Sequence, residues 1–142
     1  MAHGTPAKAE PSIDDQSRIT AIEGRALGVH IAFAPVLDVN NNPANPVIGV
    51  RSFSENPHLV ASMGAALIRG IQENGMLATA KHFPGHGDTE QNSHLELARV
   101  DAPRARIDSV ELVPFRAAVK AGVRGVMTFH GVVPALDSSP LP

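Results

Sequence analysis

The residues best suited to chemistry lie in one short stretch, Lys81-His82-Phe83-Pro84-Gly85-His86-Gly87-Asp88-Thr89, with Asn92-Ser93-His94 close behind it. A lysine, three histidines and an aspartate within so few residues can donate, accept and carry charge near neutral pH, where imidazole titrates. Gly85 and Gly87 flank His86, and Pro84 stiffens the approach. The apolar run Met76-Leu77-Ala78-Thr79-Ala80 precedes the stretch and is short enough to be a buried strand. A strand that ends at Lys81 and His82 and opens into a Gly- and His-rich loop has the build of a site rather than of a connector.

The rest of the chain supplies the elements that would position this loop. Asp14 or Asp15 is expected to cap a helix through about Leu27, with Gly28 as its stop. His30 to Asp38 reads as a strand that runs into an irregular Asn- and Pro-rich segment, with Arg51 late in that loop. The next helix has Asn56 as N-cap, Pro57 at its first position, Gly75 just past its end and an apolar stripe of Val60, Met63, Leu67 and Ile71. A further helix is expected from about Ile107 to Ala121. Its capping box would be Asp108 with Glu111, and Pro114 would kink it or mark a restart. Gly125 to His130 is the third strand. The ends, residues 1–12 and Pro134–Pro142, show no periodicity.

Helix and strand therefore alternate, with strands starting near 31, 76 and 125. Strands that are apolar throughout suit a parallel sheet covered on both faces. In such α/β folds the strand C-termini carry the chemistry. The three strands here deliver Pro35–Asp38, Lys81-His82 and His130 to that end.

The 142 residues suffice for one domain with a real core. A net charge of −2 gives no footprint for nucleic acid or an anionic membrane surface. The absence of cysteine excludes disulfides and thiolate metal sites. No apolar run approaches the ~20 residues of a membrane-spanning helix, and the start of the chain has no apolar core of the signal-peptide kind. The compartment stays open. With five Phe and no Trp or Tyr, the chain lacks the usual platform on which sugars stack.

The long motif at Lys81–Thr89 with Asn92-Ser93-His94 resembles the signature of glycoside hydrolase family 3, in its β-N-acetylhexosaminidase branch. So do Phe33–Val39, Asn45–Phe53 and Met127–His130, in the same order. The resemblance runs from about Gly24 to the end. It implies an α/β fold, a fragment of a TIM (β/α)8 barrel of about three βα units, over residues 13–142. It also implies retaining hydrolysis of terminal β-linked N-acetylglucosamine from cell-wall or chitin-type saccharides, with neither metal nor other cofactor. By that likeness Arg51, Lys81 and His82 bind the sugar, and His94 is the general acid/base. Asn92 stands where the family has an aspartate that orients the imidazole. The family's nucleophilic aspartate would lie beyond residue 142 and its Asp-Gln-Glu-Gly-Gly segment before residue 1, so the chain alone is expected to be inactive. β-Glucosidase or phosphorylase activity, and a non-catalytic fragment, are the alternatives.

The remaining polar residues divide less sharply. Asp38 suits a supporting partner or a loop brace. His86 suits loop shaping, Asp88 a carboxylate catalyst or, more commonly at such a place, a turn, and His130 the edge of a pocket; these four, Asp38 included, are pocket candidates. Zinc at His82, His86 and His94 is disfavoured, because no Cys or nearby Glu completes a ligand set. A whole barrel needs ~250 residues. A partial one would expose open sheet edges and apolar surface, so low stability or self-association is expected.

Overall fold

The computed structural model describes residues 12–89 and 98–137. The helices are α1 (Ile13–Ala26), α2 (Pro57–Glu73), α3 (Arg104–Ser109) and α4 (Leu112–Lys120). The strands are β1 (Ile31–Ala32), β2 (Leu77–Phe83), β3 (Ala98–Arg99), β4 (Gly125–Thr128) and β5 (Gly131–Val132). The main sheet is parallel, in the order β1-β2-β4, and β3 with β5 forms a separate parallel pair. The fold is thus α/β with a parallel sheet.

Several elements follow from local chemistry. Asn56 caps α2 by accepting from the amides of His58 and Leu59, Pro57 opens the helix, and Gly75 takes φ +84° just past its end. The cap of α1 is Ser12, two or three residues earlier than expected; its hydroxyl accepts from the Asp15 amide at 3.2 Å. Asp14 and Asp15 then fall in the first turn, where a carboxylate meets the positive end of the helix dipole.

The buried face of α2 also differs from the expected stripe. Val60 and Ile71 are buried, but Ala61, Gly64 and Ile68 replace Met63 and Leu67 as their buried companions. Small residues explain the rotation. Gly64 leaves room for Leu37, and Gly70 for Ser17 of α1, so the chain passes closely on both sides of α2. Ala21, Val60, Ile68, Ile71, Ala78, Ala80, Phe115 and Ala118 join this core, which ties α1, α2 and α4 to β2. Edge-to-face packing of Phe83 on Phe115, with centroids 5.3 Å apart, fixes α4 against the end of β2.

Further sequence expectations are corrected. The expected strand at His30–Asp38 is regular only over Ile31–Ala32. It continues beside β2 through single bonds, such as Leu37 N–H to the Lys81 carbonyl at 2.6 Å, because Pro35 has no N–H for the ladder. The expected helix from Ile107 is two helices, broken at Val110 and Glu111, and Pro114 lies in the first turn of α4, where a missing N–H costs little. Its capping box does not form. Asp108 instead binds Arg104 and Arg116, whose hydrogen bonds, Arg104 first, hold its carboxyl below the ordinary range. The third expected strand, Gly125–His130, stops at Thr128, and a further short strand, Gly131–Val132, pairs with Ala98–Arg99 in the second ladder.

Among the described residues, the sheet is not covered on both faces. Ala78 and Ala80 pack against the helices, while Ile31, Phe33 and Leu77 on the other face are 50%, 63% and 46% exposed.

Gly87 is the tightest backbone approach near the loop. A methyl group there would overlap the carbonyl of Val39, which cannot swing aside as a side chain can. Gly87→Ala should cost roughly 1–3 kcal/mol, the usual range for overpacking, and a urea unfolding curve at the wild-type midpoint would contradict this close approach.

Candidate functional site

The site is built around a register break. Lys81 pairs with Met127, but the next pairing is Phe83 with Thr128, so His82 is an extra residue in β2. Regular alternation would send Lys81 and His82 to opposite faces of the sheet. A bulge re-aims the side chain and leaves its own amide without a ladder partner. Both Lys81 and His82 consequently line one cleft.

Asp38 holds the bulge. Its side chain is fully buried, and its carboxylate accepts from the His82 amide at 3.3 Å and from the His86 amide at 2.7 Å. Its Oδ2 also lies 2.7 Å from His82 Nδ1. A carboxylate there accepts a hydrogen bond from Nδ1–H and leaves Nε2 as the remaining polar atom of the ring. Asp38 thus fixes the ring, the bulged backbone and the start of the His86 turn together.

Other segments close around it. Asn45 donates to the His86 carbonyl at 2.7 Å and accepts from the amides of Val47 and Ile48, which sets the short 3-10 turn Gly49–Arg51. Ser52 donates to the Asp38 carbonyl at 2.6 Å. Thr89 Oγ1 lies 2.8 Å from His86 Nδ1, and the His86 ring packs on Phe129 with centroids 5.1 Å apart.

The cleft that results has a volume of about 260 Å³. Arg51, Lys81, His82, His86 and His130 supply its polar lining, and Phe33 and Phe129 are among its apolar walls. Burial, followed by the charge of Arg51, pulls the Lys81 ammonium below its ordinary pKa near 10.5, and Asp38 partly offsets this. The cleft therefore carries two cations that repel each other, while the nearest carboxylate is engaged behind them.

Most sequence candidates converge here: Arg51, Lys81, His82, His86 and His130 line the cleft, and Asp38 lies directly behind it. Asp88 does not line it; that carboxylate turns away to Arg106 at 3.4 Å. His86 is more than a turn former, since it is buried and its ring forms part of the wall. His82 and His86 each have Nδ1 engaged, by Asp38 and Thr89 respectively. Asn92 and His94 lie outside the described residues. Sequence reasoning missed Phe33 and Phe129, because apolar strand residues give no chemical signal; what scarce aromatic content there is stands partly at the cleft.

Comparison with known proteins establishes the family. The model of the glycosyl hydrolase family 3 N terminal domain matches residues 2–142. The chain belongs to glycoside hydrolase family 3. It is 50% identical over 118 residues to the β-hexosaminidase A of Pseudoalteromonas piscicida, covering 82% of this chain and 20% of that protein. A family 3 β-N-acetylglucosaminidase from Paenibacillus sp. strain FPU-7 superimposes with a TM-score of 0.89 at 50% identity, over 92% of this chain and 25% of its own. NagZ of Neisseria gonorrhoeae, solved in complex with N-trifluoroacetyl-D-glucosamine, gives a TM-score of 0.82 at 39% identity, over 90% of this chain and 37% of its own. This family 3 chain spans from 20% to 40% of the length of the curated relatives it matches.

Two predictions follow from the electrostatics. Asp38→Ala leaves two amides and one imidazole without their acceptor, each at roughly 1–3 kcal/mol; a loss under about 1 kcal/mol in denaturant unfolding would contradict its holding role. For Lys81 the folded state has the lower pKa, so the unfolded chain binds more protons between that value and about 10.5. Stability from this group therefore rises with pH across the window, and the charged lysine opposes folding below it. Lys81→Met should be the more stable protein at pH 7, with its advantage shrinking as the pH approaches 10.5, as read by thermal unfolding at stepped pH.

Proposed function

We propose that this chain forms the sugar-holding part of a retaining β-N-acetylhexosaminidase, and that residues 13–142 are about three βα units of a (β/α)8 barrel. The convergence of Arg51, Lys81 and His82 on one cleft at the C-terminal ends of parallel strands carries this reading. The relatives are named β-hexosaminidases and β-N-acetylglucosaminidases, and one of the superimposed structures holds an N-acylated glucosamine.

The chemistry of the cleft suits a saccharide. Its volume of about 260 Å³ lies just below the ~300–1,000 Å³ of most small-molecule pockets, as fits a single sugar ring. Arg51 and Lys81 donate charged hydrogen bonds to hydroxyl oxygens, and Phe33 offers an apolar wall for the ring's C–H face. His82, set by Asp38, presents Nε2 to a hydroxyl. The resemblance assigns the acid/base step to His94: it protonates the departing glycosidic oxygen and then takes a proton from water. A carboxylate nucleophile from elsewhere in the longer enzyme forms the glycosyl intermediate. The paired cations also suit phosphate in place of water, and product analysis with and without phosphate separates a phosphorylase from a hydrolase. The half-exposed apolar face at Ile31, Phe33 and Leu77 favours self-association of the chain in solution.

Titration of the chain with N-acetylglucosamine, followed by calorimetry, tests the binding reading. Lys81→Met should weaken binding by roughly 10- to 100-fold, the loss of one charged hydrogen bond at about 1.5–3 kcal/mol. The wild-type chain should release no nitrophenol from 4-nitrophenyl N-acetyl-β-D-glucosaminide. Absence of saccharide binding, or affinity unchanged by the substitution, would remove the proposed role of the cleft.

A further inference from the structure

His86 is held on its inner side by Asp38 and Asn45, which bind its own amide and carbonyl. A second set of contacts grips its neighbours from the outer side. Glu111, at the corner between α3 and α4, is 3% exposed and lies against Gly85; a methyl group at Gly85 would stand 2.8 Å from the Glu111 Cβ. Arg106 of α3 reaches Glu111 Oε1 at 3.2 Å and Asp88 Oδ2 at 3.4 Å with the same terminal nitrogen. Asn41, from the segment after β1, reaches that Glu111 oxygen at 3.4 Å. Three separate stretches of chain therefore meet on one guanidinium and one buried carboxylate.

We infer that Arg106 and Glu111 are positioning residues for the candidate saccharide cleft, acting through Asp88 and Gly85 to hold the His86 wall in place. None of the four lines the cleft, so they act only through the backbone between residues 85 and 88. The arrangement is a clamp: Gly85 bears on Glu111 before His86, and Asp88 is drawn to Arg106 after it. The same guanidinium neutralises both carboxylates, so its loss leaves Glu111 buried without a cationic partner and Asp88 without an anchor. Arg106 itself is only partly buried, with 37% of its side chain exposed. The cleft's importance rests on the saccharide-binding reading above; the clamp itself is a matter of backbone geometry and can be scored separately.

The experiment compares the wild-type chain with Arg106→Gln, Asp88→Asn, the double variant and Arg106→Lys. Amide hydrogen exchange is followed residue by residue, together with the imidazole nitrogen resonances of His82 and His86 and the affinity for N-acetylglucosamine. In Arg106→Gln, exchange at Gly85–Asp88 should rise at least tenfold and the His86 resonances should shift, while exchange at Ile68 and Ile71 of α2 stays as in the wild type. Asp88→Asn should reproduce part of this, and the double variant should add nothing to Arg106→Gln. Arg106→Lys, a single cation without the fork, should recover part of the protection. A folded Arg106→Gln chain with unchanged exchange and unchanged His86 resonances overturns the clamp, as does a rise spread equally over α2. A wild-type chain that binds no saccharide defeats the functional reading, while the exchange and imidazole arms still decide the clamp.

Discussion

One buried carboxylate organises the site. Asp38 sits where a loop leaves the sheet, is closed off from solvent, and accepts from two backbone amides and an imidazole. Those donors come from the bulge at His82 and the turn at His86, two places where the backbone leaves regular pairing. An amide that leaves a ladder inside a protein needs another acceptor, because an unpaired buried donor is costly. Asp38 supplies that acceptor, so the irregular backbone that presents Lys81 and His82 to one cleft can persist.

The consequences spread outward from this point. With the bulge in place, Phe83 turns onto Phe115 and ties β2 to α4, while Lys81 faces Arg51 across the cleft. Burial and the nearby Arg51 both disfavour the charge on Lys81. Such a site is less stable than it could be, and that tension is typical of surfaces shaped for a ligand. On the outer side, Arg106 and Glu111 hold the same loop against the α3–α4 corner. The His86 wall is thus supported by charge from two directions and by Gly87 packed against Val39 from a third.

The family membership and the geometry account for different things. Relatives that are 39% to 50% identical place the chain in the family, and the superimposed structures share its fold. What the geometry adds is a division of labour. Arg51, Lys81, His82 and His130 meet the cleft, whereas Asp38, Asn45, Glu111 and Arg106 serve the backbone that carries it. Asp88, a pocket candidate in the sequence, belongs with the second group.

Much of this was legible in the residues alone. Helix caps, the alternation of helix and strand, and the gathering of polar residues at strand ends follow from local propensity and period, and local rules are written in local sequence. Asn56, Pro57 and Gly75 mark their helix correctly for that reason. The likeness of four motifs carried the family. What tertiary structure alone decided depends on partners distant in sequence. Asp38 meets the loop 44 and 48 residues later, and Glu111 meets Asn41 from 70 residues away. The capping box failed because α3 already begins at Arg104, which puts Asp108 inside a helix, where it binds Arg104 and Arg116. The rotated face of α2 and the bulge at His82 were set by what packs against them. Periodicity reports which residues prefer burial; only the assembled chain determines which of them meet, and there a buried acceptor outweighs the local preference for regular pairing.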